Sequence, residues 1–175
     1  GCGNDWLAGQ LSGFPGILYF GADVNLYELE QAANLFAGKR TRFLFLDIFE
    51  QQLPDNSFDL IILSAVIQYF QDLSSLLNHL LPSLKADGEV HILDSPIYKK
   101  SEVKAAAYRS KQYFQQAGTP KMARYYHHHT WDELQTYNFE IHFDPGTLWQ
   151  KIKQHTGQAD NPFPWIIVKN TRHFD

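Results

Sequence analysis

Small and acidic residues stand at the ends of hydrophobic segments in the first half of the chain. Gly1-Cys2-Gly3 forms a glycine turn, Asp23 ends the segment 17–23, and Asp47 stands near the end of the segment 42–48. The carboxyl ends of parallel strands share one edge of an open sheet, where a crevice for a ligand forms. Glycine lets backbone amides approach a bound group, and a carboxylate accepts hydrogen bonds from hydroxyl or amino groups. The pattern predicts a ligand crevice at this edge.

The composition is that of a globular domain. The 175 residues are 44% hydrophobic and 19% charged, which is enough for a real core. The net charge of −4 disfavours a nucleic-acid partner, which would favour a basic face. Cys2 is the single cysteine, so a disulfide framework and a cysteine metal site are excluded, and the cytoplasm is the expected location. No apolar run is long enough to cross a bilayer, so no membrane partner is expected.

Hydrophobic periodicity predicts strands that alternate with helices. The predicted strands cover residues 17–23, 42–48, 58–63, 89–93, 139–143 and 164–169. Side chains that commonly cap helices precede the predicted helices. These caps are Asn4 or Asp5 for a helix through Ser12, then Asn25, Asp72, Ser101 and Thr130, and a further short helix is compatible with residues 147–155. The alternation predicts a doubly wound α/β sheet.

Two further motifs precede predicted strands. Residues 53–62 read Leu-Pro-Asp-Asn-Ser-Phe-Asp-Leu-Ile-Ile, and residues 84–89 read Leu-Lys-Ala-Asp-Gly-Glu. With the strand-end motifs, in this order, they resemble the class I S-adenosylmethionine-dependent methyltransferases, well over residues 1–94 and loosely over residues 130–169. The resemblance implies a mostly parallel, seven-stranded Rossmann-like sheet with an antiparallel last strand. The first strand is expected to be missing from this fragment, and residues 1–175 are expected to form one domain.

The resemblance also implies S-adenosylmethionine as cofactor and methyl transfer by in-line displacement to a small-molecule acceptor. The glycine turn would approach the amino-acid end of the donor, Asp23 would accept both ribose hydroxyls, and Asp47 would accept the adenine amino group while Ile48 packs on the ring. The loop that begins at Ser64 would close over the methionine part. The implied cofactor-binding residues are Gly1, Cys2, Gly3, Asp23, Val24, Asp47, Ile48, Ser64 and Ala65.

The acceptor is expected beside an aromatic and histidine-rich segment. A helix that feeds a parallel strand descends from the ligand edge, so residues 125–129 should lie near that edge, as should residues 144–162. A histidine is the natural base at neutral pH. The catalytic candidates are His128, His129 and Tyr69, and further candidates for a lid are Phe70, Trp131, Trp149 and Phe163. The alternative is that the histidines lie in an exposed polar loop without a catalytic role. Zinc binding is disfavoured because three consecutive histidines do not converge easily on one ion.

Two other functions compete with this prediction. Asp5 stands where the family often has a third glycine, which favours a catalytically degenerate binding or scaffold module. A nicotinamide-dependent oxidoreductase would use Gly-x-Gly-x-x-Gly, but Trp6 occupies the last of these positions. That alternative ranks behind the methyltransferase. The sequence determines neither the methyl acceptor nor the oligomeric state.

Overall fold

The computed structural model describes residues 1–4, 6–11, 14–147 and 161–170. The chain divides into two compact units, residues 1–53 and residues 54–175. The expected single domain over residues 1–175 stays a prediction. No helix in the described ranges combines the length and the apolar character needed to cross a membrane.

The first unit contains two helices and a two-stranded parallel sheet. Its elements are α1 (Trp6–Leu11), β1 (Tyr19–Asp23), α2 (Leu26–Phe36) and β2 (Thr41–Phe45). Asn25 caps α2 as predicted, because its side chain accepts hydrogen bonds from the amides of Tyr27 and Glu28. Strand β1 pairs with β2 along its whole length, and Asp23 lies opposite Phe45 at the carboxyl end. Asp23 therefore lies at the edge of the sheet where the carboxyl ends of the two strands meet.

The second unit contains a four-stranded sheet in the order β3-β4-β6-β5. Its elements are β3 (Phe58–Ser64), α3 (Leu73–Leu80), β4 (Leu84–Leu93), α4 (Val103–Gln116), α5 (Trp131–Leu134), β5 (Phe139–Phe143) and β6 (Trp165–Lys169), with 3-10 turns at Ile67–Tyr69, Leu81–Ser83 and Pro120–Tyr125. Strands β3 and β4 are parallel, whereas β6 is antiparallel to both β4 and β5. The antiparallel last strand is confirmed. The described residues contain six strands in all, and the count of seven stays a prediction.

The core of the second unit follows from the two periodicities of its sequence. Helix α3 buries leucines that share one face, and Asp72 caps the helix by accepting the amide of Ser75 at 3.1 Å. These leucines are Leu73, Leu76, Leu77 and Leu80. On β4, the alternate residues Val90 and Ile92 are fully buried. They lie opposite β6 residues Val168 and Ile166, which are also fully buried.

Two predicted boundaries are wrong for local reasons. Ser101 does not cap α4, whose N-cap is Glu102. The Glu102 carboxylate accepts the amide of Lys99 at 2.9 Å, so it closes the preceding turn instead of the helix end. Residues 84–89, predicted to lie ahead of the strand 89–93, belong to β4, where the pairing with β3 shifts register between Phe58 and Leu60. Gly88 permits this approach, because a Cβ there would stand 2.9 Å from the carbonyl oxygen of Phe58.

Other boundaries differ in length only. The strand predicted over 42–48 ends at Phe45, so Asp47 lies two residues beyond it. The helix that follows Thr130 ends at Leu134. Its predicted capping box is present, with Glu133 accepting the amide of Thr130. Asp5, Ser12, Trp149 and most of the helix expected over residues 147–155 lie outside the described residues.

Candidate functional site

The glycine turn and Asp23 form one hydrogen-bonded arrangement in the first unit. The amide of Gly3 donates to Asp23 Oδ2 at 2.7 Å, and the amide of Asn25 donates to Asp23 Oδ1 at 2.9 Å. The amide of Cys2 donates to the carbonyl of Ala22 at 2.9 Å. Gly3 adopts a φ of +56°, where a side chain is strained, and a Cβ there would approach Glu28 Oε2 at 3.0 Å. Glycine is therefore favoured at this position.

The Asp23 side chain is an ionised acceptor with capacity to spare. Burial raises its pKa, but the amides of Gly3, Asn25 and Val24 and the positive charge of the amino terminus together outweigh that effect, and the net pKa lies below the usual value. Each carboxylate oxygen has two acceptor directions. One direction on each oxygen is used by a backbone amide, so the carboxylate retains directions for hydroxyl donors such as a ribose diol.

The other predicted ligands of the first unit lie at the exit of its strands. Val24 follows Asp23 directly and is exposed. The carbonyl of Asp47 accepts from the amides of Glu50 and Gln51, which makes a tight turn after β2. Asp47 Oδ1 accepts the amide of Phe49 at 3.1 Å, and the carboxylate is exposed. Ile48 is half-buried.

In the second unit, polar groups gather where β3 and β4 end. Ser64 Oγ donates to Asp94 Oδ2 at 3.0 Å, and Asn161 Nδ2 donates to Asp94 Oδ1 at 2.6 Å. Ala65 and Asp94 both adopt a positive φ, +52° and +50°, which is rare for residues with a side chain. Such strained backbone clusters at functional sites. This network is a candidate ligand-facing edge of the second unit.

Sequence reasoning assigned no role to Asp94 or Gln68. Asp94 carries the same signal as Asp23, an acid directly after a buried strand. Gln68 is buried and its Nε2 donates to the carbonyl of Ala65 at 2.6 Å, which holds the strained turn. No sequence pattern marks Gln68, because its role depends on a three-dimensional contact.

His129 serves as a buried link between two elements. It is 2% exposed, and its Nε2 lies 2.9 Å from the carbonyl oxygen of Ile67. Its Nδ1 lies 3.0 Å from Glu133 Oε1 at the end of the capping box. Both ring nitrogens are therefore engaged by groups of the protein itself. The geometry favours a structural role for His129, and its assignment as a base stays a prediction.

His128 is placed differently from its neighbour. It is half-buried, and its Nε2 lies 2.9 Å from Ser110 Oγ on α4. Its ring packs on the rings of Tyr98 and Tyr126, with centroids 5.6 Å and 5.4 Å away. Burial lowers its pKa, and the neighbouring positive charges of His127, His129 and Arg109 lower it further. A neutral imidazole with this surrounding is suited to accept a proton.

Tyr69 lies beside the same aromatic residues. Its ring meets the edge of Tyr126 at 6.1 Å and an interplanar angle of 88°. The amide of His127 donates to the carbonyl of Gln68 at 2.7 Å, which ties the histidine segment to the turn after β3. Burial and then the nearby phenols raise the pKa of Tyr126, so this ring stays neutral. The structure thus brings both Tyr69 and His128 into contact with Tyr126.

Comparison with known proteins identifies the family. A model of the methyltransferase domain family matches residues 1–92, which is more than half of the 175 residues. The chain belongs to the methyltransferase domain family. The resemblance inferred from the glycine turn, Asp23, Asp47 and residues 53–62 is confirmed.

A curated relative shares part of the sequence. It is the malonyl-(acyl-carrier protein) O-methyltransferase of Acetivibrio thermocellus, which is 35% identical over 89 residues. The match covers 50% of this chain and 31% of the relative. This chain therefore spans about a third of the length of that relative.

Solved structures share the fold. A protein described as an S-adenosylmethionine-dependent methyltransferase from Mesorhizobium loti matches with a TM-score of 0.66 and 18% identity, over 96% of this chain and 86% of that chain. The YcgJ protein of Bacillus subtilis matches with a TM-score of 0.68 and 16% identity, over 99% and 90% of the two chains. At these identities the likeness concerns the fold alone. The predicted mostly parallel, Rossmann-like α/β class is confirmed.

Proposed function

We propose that this protein is an enzyme that transfers a methyl group from S-adenosylmethionine to a small-molecule acceptor. Membership of the methyltransferase domain family supports the reaction class. The observation that carries the proposal is the Asp23 carboxylate, held at a strand end by the amides of Gly3 and Asn25 with acceptor directions left over. An anionic acceptor at this position suits a ribose diol.

The residues of the first unit carry the proposed donor site. The glycine turn of Gly1, Cys2 and Gly3 would approach the amino-acid end of the donor, with Asp23 and Val24 at the ribose. The exposed Asp47 carboxylate would accept from the adenine amino group, and Ile48 would pack on the adenine ring. Ser64 and Ala65, in the second unit, stay predicted cofactor-binding residues.

The reaction demands alignment, exclusion of water and a way to remove a proton. When bound, the donor supplies an electrophilic methyl group on a cationic sulfonium. His128 is the proposed base, because its imidazole is half-buried among aromatic rings and its lowered pKa keeps it neutral at physiological pH. Tyr69 is the second proposed catalytic group and would border the acceptor beside Tyr126.

The test is calorimetric titration of the full-length protein with S-adenosylmethionine and S-adenosylhomocysteine, with NAD as control. We expect binding of both sulfur ligands, with dissociation constants of roughly micromolar order, and none of NAD. Binding of NAD alone would support an oxidoreductase instead. Binding of neither sulfur ligand would leave a scaffold module as the better interpretation. Donor binding without turnover over a broad acceptor panel would also favour the scaffold module.

A further inference from the structure

A groove on the second unit has a lining that suits an aromatic anion. It is formed by one face of α4 together with the segment before the histidines, and its volume is about 240 Å³. The lining residues, called here the aromatic groove, are Arg109, Ser110, Tyr113, Phe114 and Tyr126. Pockets for drug-sized ligands are roughly 300–1,000 Å³, so this groove fits a smaller molecule with one ring. All five residues lie outside the family match over residues 1–92.

The aromatic side chains of the groove form a connected wall. Phe114 meets Tyr126 at 5.6 Å with an interplanar angle of 62°, and Tyr113 meets Phe114 at 5.4 Å with an angle of 73°. Tyr126 continues the wall to Tyr69 and His128. Rings that meet edge to face leave other faces and edges uncovered. A planar aromatic ligand can bind to these in the same stacked or edge-to-face geometries.

Arg109 gives the groove a positive charge without an internal counter-charge. Within the described part of the chain, no carboxylate forms an ion pair with this guanidinium, and the side chain is exposed. Burial raises the pKa of Tyr98, and the charge of Arg109 offsets part of that rise. At His128, burial lowers the pKa and the charge of Arg109 adds to the lowering. A guanidinium binds a carboxylate through two parallel hydrogen bonds and repels ammonium groups. The groove is therefore selective for an anion.

The proposed base, His128, limits which chemical group of the acceptor can react. Ser110 lines the groove and its Oγ lies 2.9 Å from His128 Nε2, so the base contacts the lining of the groove through Ser110 and Tyr126. A neutral imidazole can deprotonate a phenol, whose pKa is about 10, as the bond to carbon forms. An aliphatic amine would arrive as a cation and be repelled by Arg109. The aromatic wall favours a planar phenol over an aliphatic alcohol, because ring can pack on ring.

We propose that the aromatic groove binds the methyl acceptor, and that the acceptor is a small aromatic hydroxy acid with its carboxylate on Arg109 and its hydroxyl toward His128. The inference rests on the proposed function. The acceptor oxygen forms a bond to the methyl carbon while the bond from carbon to sulfur breaks, and the electron pair of that bond stays on sulfur. The hydroxyl proton passes to the imidazole of His128 and then to solvent.

Ser110 acts in this scheme as a positioning residue. Its hydroxyl fixes one ring nitrogen of His128, which leaves the other for the proton of the acceptor. The groups that face His128 are Tyr98 ahead of α4, Arg109 on α4, Tyr126 in the wall, and the adjacent His127 and His129. None of these is a carboxylate, so no negative charge raises the basicity of the imidazole.

The first experiment measures methyl transfer and calorimetric binding with the full-length protein and a panel of probes. The panel comprises salicylate, para-hydroxybenzoate, protocatechuate and caffeate, with para-hydroxybenzamide as the neutral control and tyramine as the cationic control. We expect turnover of at least one hydroxy acid, weaker binding of the amide and no binding of tyramine. Equal use of acid, amide and amine overturns the inference, and so does failure of every acid to bind or react.

The second experiment replaces the charge of the groove. Arg109→Gln should raise KM for the preferred acid about tenfold with little change in kcat, because a hydrogen bond to a charged group is removed. KM for the neutral amide should not change. The matched control is Arg124→Gln, which removes a guanidinium that lies over the ring of Tyr125 outside the groove. Equal effects of the two substitutions on KM for the acid contradict the assignment of Arg109.

The third experiment uses pH profiles of kcat to distinguish a catalytic role of His128 from a purely structural one. In the wild type, kcat should fall only as the pH drops below the usual titration range of histidine, since the pKa of His128 is lowered. Ser110→Ala should lower kcat and shift this acid limb, and Ser110→Thr should restore both because it keeps the hydroxyl. An unchanged limb in Ser110→Ala refutes the positioning role. If the wild type does not bind S-adenosylmethionine, the proposed function itself is contradicted.

Discussion

Replacing Asp23 with asparagine should loosen the glycine turn and weaken donor binding together. The carboxylate accepts one backbone amide on each oxygen, from Gly3 at 2.7 Å and from Asn25 at 2.9 Å. An asparagine side chain has one oxygen and one NH₂ group, so one of the two amides would face another donor. A buried donor left without a partner costs about 1–3 kcal/mol, and a hydrogen bond to a charged group contributes about 1.5–3 kcal/mol. We therefore expect the free energy of unfolding to fall by about 2–4 kcal/mol.

The assay is urea denaturation at neutral and acid pH, with Asp47→Asn as the matched control. Asp47 is exposed and accepts one amide, from Phe49, so its replacement should change the unfolding free energy by less than about 1 kcal/mol. The pKa of Asp23 lies below its usual value in the folded state. Its contribution is therefore present above the unfolded pKa, about 3.9, and is lost as the pH falls through the folded pKa. The difference between wild type and Asp23→Asn should narrow over that acid range.

Donor affinity gives the functional half of the same prediction. If Asp23 accepts both ribose hydroxyls, the folded Asp23→Asn variant should bind S-adenosylmethionine about 100-fold more weakly. Calorimetry under conditions where the variant is folded separates this loss from the loss of stability. A variant within about 0.5 kcal/mol of wild type in stability would refute the structural role of the carboxylate. Unchanged affinity for the donor would refute its assignment as a cofactor ligand.

Three further substitutions test the packing of the second unit and the histidine link, and each is checked by urea denaturation. Leu77→Ala should lower the free energy of unfolding by about 2–5 kcal/mol because the side chain is fully buried, whereas Leu35→Ala at an exposed position should change it by less than about 0.5 kcal/mol. Gly88→Ala should destabilise by about 1–3 kcal/mol because its Cβ would stand 2.9 Å from a backbone oxygen, whereas Gly38→Ala meets nothing within 4 Å and should be tolerated. His129→Gln should lower the free energy of unfolding by about 2 kcal/mol, since both donors of the glutamine amide sit on one nitrogen, whereas the Ile67 carbonyl and the Glu133 carboxylate contact two different ring nitrogens. An unchanged stability would contradict the buried link.

The sequence by itself determined the features that depend on local periodicity and on single side chains. The helix caps at Asn25 and Asp72 and the capping box from Thr130 to Glu133 follow from short-range hydrogen bonds between neighbours. The order of strands and helices follows from apolar spacing, and the strand-end acid Asp23 follows from its place after a buried segment. These features need no knowledge of what lies across the fold. They were sufficient to identify the family.

The tertiary structure alone decided the features that join distant segments. His128 and His129 are adjacent and chemically identical, yet one contacts Ser110 beside a groove and the other is buried between Ile67 and Glu133. The groove itself exists because the turn after α4 folds back and brings Tyr126 against Phe114. Backbone strain at the ends of β3 and β4 and the close approach at Gly88 likewise arise from pairing between strands. The spacing of residues along the chain determines local geometry, whereas burial and long-range contacts depend on how the chain packs.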